Sequence, residues 1–225
     1  MIVVTGASRG LGRAICDRFH ARGEEVLGLA RNVDGLPFPA IPCDIGSYDA
    51  VKSVATTQRR RGVRITGLVN AAGIASMNLA VTTPARVSTD IVQTNLLGTI
   101  FCCQLFAPIM LRHKAGAIIN FSTIAVALGL KGESIYAASK AGVEAFSRTF
   151  AREMAEFNIT VNCIAPGPIQ TDLLKGVTPA QIERIVARQV IPRQFDAAAI
   201  CDVVELLLDE RGRSLSGQVF HVGGV

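Results

Sequence analysis

Two side chains capable of acid–base chemistry lie four residues apart in the segment Ser134-Ile-Tyr-Ala-Ala-Ser-Lys140. A helix over this segment places the Tyr136 phenol and the Lys140 ammonium on one face, one turn apart. A tyrosine normally keeps its proton until about pH 10, and a nearby positive charge lowers its pKa toward the working range of a proton donor. The same spacing also fits a solvated helix face, so its meaning depends on the elements that position the pair.

The N-terminal segment reads as a buried strand, a glycine-rich turn and a helix, in the order Met1-Ile-Val-Val-Thr-Gly-Ala-Ser-Arg-Gly-Leu-Gly-Arg-Ala-Ile-Cys16. Gly6, Gly10 and Gly12 permit a tight turn and a close approach of the backbone to a ligand. The helix N-terminus that follows offers free N–H groups and the positive end of a dipole to a pyrophosphate. This pattern predicts a dinucleotide-binding site.

Three ordered motifs resemble the short-chain dehydrogenase/reductase family. They are Thr-Gly-x-x-x-Gly-x-Gly at the N-terminus, Asn70-Ala-Ala-Gly73, and Tyr136-x-x-x-Lys140, and the resemblance covers nearly the whole chain. Within the family, Thr-Gly-Ala-Ser-Arg-Gly-Leu-Gly, Tyr-Ala-Ala-Ser-Lys-Ala-Gly and Ser216-Gly-Gln-Val-Phe-His-Val-Gly-Gly224 are most similar to the 3-oxoacyl-[acyl-carrier-protein] reductases. These strings indicate the family better than the substrate.

Length and pattern predict one α/β domain over residues 1–225. The chain is 49% hydrophobic, which suits one three-layer unit better than two small domains. Alternating strand and helix patterns predict a doubly wound Rossmann-type parallel sheet with helices on both faces and ligands at the carboxyl ends of the strands. The segment 32–42 is short and contains prolines, so we expect one helix of the usual fold to be missing there. The predicted strands lie near 1–5, 25–30, 40–43, 65–70, 117–122, 159–165 and 217–221.

Composition and sequence pattern indicate the expected cellular compartment and exclude some classes of ligand. The longest apolar run, Ile100 to Leu111, is too short for a membrane span and is interrupted by Gln104 and Pro108. The chain begins directly in a strand and its six cysteines show no paired framework, so we expect no membrane association and a reduced, cytoplasmic compartment. The dispersed cysteines and histidines predict no metal site. With 23 basic against 18 acidic residues and no recognition motif, nucleic-acid binding is not expected.

The resemblance implies a cofactor site and a preference for NADPH. NAD-preferring relatives usually place an acidic residue after the second strand, where this chain has Ala30 and Arg31, and Arg9 can supply a second cation to a 2′-phosphate. Arg31 can also be an ordinary surface arginine. Asp44 resembles the family's contact to the adenine. The implied cofactor-binding residues are Gly6, Ser8, Arg9, Gly10, Leu11, Gly12, Arg31, Asp44, Ile45, Asn70, Ala71, Ala72, Gly73, Tyr136, Lys140, Pro166, Gly167, Ile169 and Thr171.

The resemblance also implies the catalytic set. Tyr136 is the proton donor, Lys140 holds the nicotinamide ribose and lowers the pKa of the phenol, and Asn95 supports the lysine through water. Asn95 can alternatively satisfy a backbone group inside an apolar helix. The hydroxyl that orients the substrate is expected thirteen residues before the tyrosine, at Thr123, where relatives commonly have serine. The adjacent Ser122 should point to the opposite face unless a bulge shifts the register.

The loop Pro166-Gly-Pro-Ile-Gln-Thr171 resembles the family segment that contacts the nicotinamide carboxamide, and its prolines also make a rigid turn. The segment 172–194 closes over substrate in relatives. Thr178-Pro-Ala predicts a helix start there. Its apolar residues favour an acyl chain or hydrophobic ketone, although they can also pack on the sheet or on another subunit: Leu173, Leu174, Ile182, Ile185 and Val186.

The charge of the chain and its resemblance to the family suggest two kinds of protein partner. Arg112-His-Lys114 and Lys175 are candidate contacts for an acidic acyl carrier protein at the rim of the active site, or simply a solvated face. A homotetramer or homodimer is expected, with helices around 95–113 and 134–157 as the interface. Two other functions stay open: a secondary-alcohol or steroid-type dehydrogenase of the same family, and a dinucleotide sensor without turnover.

Overall fold

A seven-stranded parallel sheet forms the centre of the protein, in the order β3-β2-β1-β4-β5-β6-β7. The structure is a computed structural model that describes residues 1–171 and 177–225. The predicted doubly wound Rossmann-type fold is confirmed, and every predicted strand lies within two residues of an observed one. The strands are β1 Ile2–Thr5, β2 Val26–Ala30, β3 Ala40–Pro42, β4 Gly67–Asn70, β5 Gly116–Phe121, β6 Ile159–Pro166 and β7 Val219–Val222.

Helices cover both faces of this sheet. Side chains alternate between the faces along each strand, so these buried strands present apolar side chains on both faces, and both need covering. Val3 packs with one core cluster, and its neighbours Ile2 and Val4 pack with the other. The helices described are α1 Gly10–Ala21, α2 Tyr48–Arg60, α3 Ala85–Val92, α4 Gly98–Leu111, α5 Ala125–Leu128, α6 Ser134–Met154, α7 Pro179–Val186 and α8 Ala197–Leu208. The first cluster joins the sheet to α2, α4 and α6, and the second joins it to α1 and α8.

The connection between β2 and β3 contains no helix, as the short segment predicts. Phe38 packs in the second cluster instead and is buried. Gly28 in β2 makes room for it, since a Cβ at this glycine would lie 2.9 Å from the Phe38 ring. The Arg13 guanidinium of α1 lies 5.5 Å from the centre of the same ring.

The apolar run around α4 belongs to a longer helix than the sequence indicates. A π-helical turn, Gln93–Leu97, joins α3 to α4, and α4 continues through Pro108. The continuous helix Ala85–Leu111 has 27 residues, and its most apolar 18-residue window has a mean hydropathy of 1.6, so length and composition alone would allow it to cross a membrane. Half of its most apolar window is buried in the protein, as in the core helix of a globular domain.

Candidate active site

The glycine-rich turn brings the backbone of three elements into close contact. Gly6 has a φ of +71°, and a Cβ there would lie 2.8 Å from the Ala72 Cα. A Cβ at Gly12 would overlap the carbonyl oxygen of Gly6. The following helix, α1, begins at Gly10, and the side chain of its N-cap residue, Arg9, makes no hydrogen bond with the helix. Its first N–H groups are therefore available to an anion, which is the arrangement that a pyrophosphate needs.

A cleft of ≈ 540 Å³ opens at the carboxyl ends of the strands beside this turn. Its volume lies within the usual range for small-molecule sites. Close backbone packing, free helix N–H groups and two flanking arginines all fit a phosphorylated dinucleotide. Most of the predicted cofactor-binding residues line the cleft: Gly6, Ser8, Arg9, Gly10, Leu11, Arg31, Asp44, Ile45, Ala71, Ala72, Gly73, Tyr136, Lys140, Pro166 and Thr171.

The other predicted cofactor residues lie outside the cleft lining. The Asn70 side chain is buried, and its Nδ2 donates to Asn120 Oδ1 at 2.8 Å. Gly12 packs beneath Gly6 rather than bordering the cleft. Gly167 and Ile169 line a neighbouring cavity. Asn70 therefore ties β4 to β5 inside the sheet, and the structure does not place its side chain against a ligand in the cleft.

Lys140 is buried and reaches the end of β5. Its Nζ donates to the Phe121 carbonyl at 2.8 Å. Burial lowers the pKa of Lys140 to about 8, against a smaller opposing effect of the Cys163 thiol. Because Lys140 also lines the cleft, its ammonium group is available to a ligand there.

Tyr136 lies on the same helix, and its hydroxyl is also buried. Burial raises the pKa of Tyr136, the Glu133 carboxylate raises it further, and a hydrogen bond with Thr123 lowers it. The expectation that Lys140 lowers this pKa is not met in this state, because desolvation of the phenolate dominates. The phenol consequently keeps its proton, which is the form that a proton donor requires.

The end of β5 gives Ser122 and Thr123 different partners. The Ser122 hydroxyl donates to Glu144 Oε1 at 2.6 Å in a buried contact with α6. The Thr123 hydroxyl lies beside the Tyr136 phenol, whose pKa it lowers, and it accepts from the Ala125 N–H at 3.2 Å. The structure thus brings Thr123, rather than Ser122, to the phenol, in the orientation expected from strand alternation.

Asn95 lies in the π-helical turn and binds a backbone loop. Its Oδ1 accepts from the Ile74 N–H at 2.8 Å, and its Nδ2 donates to the Ile74 carbonyl at 2.9 Å. Nδ2 also donates to Ser139 Oγ at 3.1 Å. Both ends of the amide are therefore engaged in holding the loop after β4 against α6, which matches the alternative expectation of backbone satisfaction.

A second, smaller cavity of ≈ 100 Å³ adjoins the cleft. Five residues line both spaces, so the phenol stands where the cleft and the cavity meet: Leu11, Ser122, Tyr136, Pro166 and Thr171. The cavity is mostly apolar. Its lining includes Met77, Ile124, Leu130, Ile169, Val177 and Ile185.

The segment after β6 is described only in part. A capping box of Thr178 and Gln181 starts α7, at the position that Thr178-Pro-Ala indicates. Of the predicted apolar set, Ile185 lines the cavity, and Ile182 and Val186 lie on the same helix. Leu173, Leu174 and Lys175 lie outside the described residues.

The sequence motifs did not indicate two carboxylates that contribute to the site, one beside the phenol and one beside Ser122. Glu133 lines the small cavity, and Glu144 accepts the hydrogen bond of Ser122. The spacing of Glu133, three residues before Tyr136, could have indicated a shared helix face. No sequence signal pointed to Glu144, because its contact crosses from α6 to β5.

The predicted carrier contacts at Arg112-His-Lys114 are in the wrong place for an active-site rim. They follow the end of α4 and precede β5, whose other end leads to Thr123. The six residues of β5 span roughly 20 Å. These basic residues therefore lie at the amino edge of the sheet, opposite the cleft.

In the part of the chain that the structure describes, Cys43 is the one cysteine that lines the cleft, and no metal cluster is found. All six cysteines are free and buried. No group of three or more histidine, cysteine or acidic residues there could hold a metal ion. Burial raises the pKa of Cys163, the thiol near Lys140, to about 12, so it stays protonated at neutral pH.

The parallel sheet, the glycine-rich turn and the cleft define an α/β protein of the Rossmann type. Residues 1–182 match the family model of the short chain dehydrogenases. The 3-oxoacyl-[acyl-carrier-protein] reductase FabG of Staphylococcus epidermidis is 33% identical, with 99% of this chain and 96% of the relative covered. FabG of Escherichia coli K12 is 32% identical, with 99% and 95% covered.

A solved structure agrees with these sequence matches. The ligand-free aldohexose dehydrogenase of Thermoplasma acidophilum superposes with a TM-score of 0.89 at 27% identity, covering 99% of this chain and 92% of that one. The chain belongs to the short-chain dehydrogenase/reductase family, as its motifs indicate. It is therefore an oxidoreductase of a family that binds a nicotinamide dinucleotide.

Proposed function

We propose that this protein uses NADPH to reduce a ketone to a secondary alcohol, and that its substrate is a 3-oxoacyl thioester on acyl carrier protein. The main support is the position of Tyr136, which borders both the cleft and the apolar cavity and lies beside the Thr123 hydroxyl. A substrate carbonyl in the cavity would meet a proton donor and a second hydroxyl at the mouth of the cofactor cleft.

Each of the four site residues has its own role in the proposed reduction. A bound reduced nicotinamide supplies the hydride that the carbonyl carbon receives. Tyr136 gives its phenolic proton to the carbonyl oxygen, and Thr123 donates a hydrogen bond to that oxygen. Lys140 would bind the ribose hydroxyls and offset the negative charge left on the phenolate. Asn95 positions the loop beside them, through its bonds to Ile74.

The preference for NADPH is supported by the charges in the cleft. Arg9 and Arg31 line it, and the second strand ends at Ala30 without a carboxylate. Guanidinium groups favour a 2′-phosphate, and an acidic residue at this position would repel it. We expect Arg31→Asp to reduce kcat/KM with NADPH more than with NADH. Equal efficiency of the unsubstituted protein with both cofactors would contradict the preference.

The acyl substrate is supported by the apolar cavity and by the two reductases that align over nearly the whole chain. A net charge of +5 favours approach of an acidic carrier. The six free, buried thiols suit a cytoplasmic enzyme. By resemblance to its family, we infer a dimer or tetramer.

A secondary-alcohol or steroid-type dehydrogenase is the second candidate, because the same apolar cavity accepts other hydrophobic ketones. The likeness to an aldohexose dehydrogenase shows that this fold also carries other substrates. A sensor without turnover is less well supported, since Tyr136 and Lys140 are both present and both line the cleft.

The proposed substrate is tested by comparing acetoacetyl thioesters, free and carrier-bound, while following the absorbance of NADPH and then NADH. We expect faster oxidation of NADPH and a higher kcat/KM for the carrier-bound thioester. Turnover of simple hydrophobic ketones without turnover of either thioester would favour the second candidate. Tight NADPH binding without any turnover would favour the sensor.

A further inference from the structure

Glu133 occupies an unusual position at the start of the helix that carries Tyr136. It is the N-cap residue of α6, and its backbone carbonyl accepts from the Ala137 N–H at 2.7 Å. Its side chain makes no capping hydrogen bond with the helix. Serine, threonine and aspartate are the usual residues at this position, because their short side chains reach the free N–H groups. The Glu133 side chain lines the small cavity instead.

This carboxyl group lies close to the reacting phenol in apolar surroundings. Among the described residues that line the cavity, Glu133 is the only one with a charged side chain. Met77, Leu130 and Ile185 supply apolar lining around it. Burial raises the pKa of Glu133, and its charge raises the pKa of Tyr136. Both effects agree with a carboxylate that has lost part of its water near the place of reaction.

An ionised carboxylate accepts hydrogen bonds and cannot donate them. A purely hydrocarbon substrate that fills the cavity removes water from the carboxylate without offering it a hydrogen bond, and this desolvation opposes binding. A substrate with an O–H or N–H donor at the same place replaces the lost water with a charge-assisted hydrogen bond. The cavity therefore discriminates between ketones by a donor close to the carbonyl.

We propose that Glu133 is a specificity-determining residue that accepts a hydrogen bond from a hydroxyl or N–H group near the carbonyl of the ketone substrate. This inference rests on the proposed ketone reduction and names a feature of its substrate. The donor can belong to the acyl part, as a hydroxyl or amino substituent, or to the thioester arm, as an amide N–H.

Two matched pairs of ketones distinguish these sources. 1-Hydroxypentan-2-one and hexan-3-one have nearly the same shape and differ by a hydroxyl in place of a methyl group. The N-acetylcysteamine and S-(2-acetoxyethyl) thioesters of acetoacetate differ only in an amide N–H that is replaced by an ester oxygen on the arm. For each pair, kcat/KM with NADPH is measured for the unsubstituted protein, Glu133→Leu and Glu133→Gln.

We expect the unsubstituted protein to prefer the donor-bearing member of at least one pair by about tenfold, as one charge-assisted hydrogen bond allows. Glu133→Leu should abolish that preference, and Glu133→Gln should keep part of it, because its amide oxygen still accepts. Glu153→Leu is the matched control, since Glu153 is an exposed carboxylate on the same helix and should leave the ratio unchanged. The pair that responds identifies the source of the donor.

Equal ratios in the unsubstituted protein and Glu133→Leu would overturn this inference and leave ketone reduction standing. Absence of turnover with every ketone would instead count against the proposed function. In that case, calorimetric titration of the protein with NADP⁺ and then with pentane-1,2-diol or hexan-3-ol measures the two affinities directly. The comparison tests the preference for a hydroxyl donor without requiring turnover. A preference for the diol that Glu133→Leu removes supports the role of Glu133, and equal affinities overturn it.

Discussion

The phenol of Tyr136 and the ammonium of Lys140 both lie in the protein interior, where burial opposes their charged forms. The tyrosine therefore holds its proton more tightly than in water, and the lysine holds its proton less tightly. For reduction, the protonated phenol is the useful form. The lysine is the costly group, because its charge must be kept in a site that destabilises it.

Lys140→Met should change how stability depends on pH. The folded-state pKa of about 8 lies below the ordinary lysine pKa of 10.5, so the unfolded chain binds more protons between these values. The resulting penalty, on the order of 3 kcal/mol, is fully present below pH 8 and disappears as pH rises to about 10.5. The free energy of unfolding of the variant relative to the unsubstituted protein should fall over this window.

Urea unfolding of both proteins at several pH values from 7 to 10.5 measures this difference. Taking the difference in free energy of unfolding cancels the contribution of Tyr136 titration, because both proteins contain this tyrosine. Loss of the bond to the Phe121 carbonyl lowers the stability of the variant at every pH, so the slope is the informative quantity. A difference that does not change with pH would contradict a lowered lysine pKa.

Thr123→Ala and Ser122→Ala should have opposite main effects. Loss of the Thr123 hydroxyl removes a hydrogen-bonding group beside the phenol, and we expect kcat to fall by about 10²-fold with little change in stability. Loss of the Ser122 hydroxyl leaves the buried Glu144 carboxylate without that donor. We expect this change to cost about 1–3 kcal/mol of stability while most turnover remains.

Steady-state rates and urea unfolding of the two variants separate these effects. Thr123→Ser is the control, because it keeps the hydroxyl and should keep most of the activity. If Ser122→Ala abolished turnover and Thr123→Ala did not, Ser122 would supply the catalytic hydroxyl.

At the scale of elements, the site depends on contacts between α6, the end of β5 and the π-helical turn. Helix α6 carries Tyr136 and Lys140 one turn apart, as its sequence indicates. The π-helical turn places Asn95 against the loop after β4. Such turns inside longer helices are frequent at functional sites. The amide of Asn95 thus connects two elements that border the cleft.

Asn95→Ala should weaken turnover more than cofactor binding. The substitution removes the bonds to both backbone groups of Ile74 and to Ser139, so the loop next to Gly73 loses its support. The glycine-rich turn and α1, which would bind the cofactor phosphates in the proposed complex, do not depend on these bonds. Fluorescence titration with NADPH and steady-state rates test the two effects, and a lost affinity with normal turnover would oppose this role.

Local motifs made much of this site predictable. The glycine-rich turn needs particular backbone angles and close approaches, so its sequence is informative by itself. The Tyr136 and Lys140 spacing needs only one helix. The position of Arg112-His-Lys114 was missed because the direction of α4 across the sheet places them at the far edge. The hydrogen bonds of the Asn70 side chain could not be predicted, because its partners, Asn120 and Cys103, come from distant segments.

At the scale of the whole molecule, strand order fixes where the cleft lies. The chain builds β1, β2 and β3 outward to one edge and then returns to place β4 on the other side of β1. Connections after β1 and β4 therefore diverge to opposite faces, leaving a crevice at the carboxyl ends. The turn after β1 and the segment Ala71 to Gly73 after β4 both line the cleft.

The outer faces of α4 and α6 suggest assembly. Phe101, Leu105 and Phe146 on these helices are only half-buried in the single chain. We expect light scattering after size exclusion to give a dimer or tetramer of the 23.8 kDa chain, because association covers such apolar surface. A 23.8 kDa monomer over the working concentration range would contradict this expectation.

The central claim is that the phenol of Tyr136 donates the proton in an NADPH-dependent ketone reduction. The most direct measurement compares the unsubstituted protein with Tyr136→Phe in NADPH oxidation by a carrier-bound 3-oxoacyl thioester, with NADPH affinity measured in parallel. We predict at least about a 10²-fold loss of kcat in Tyr136→Phe with nearly unchanged NADPH affinity. Equal turnover by the two proteins would contradict the account.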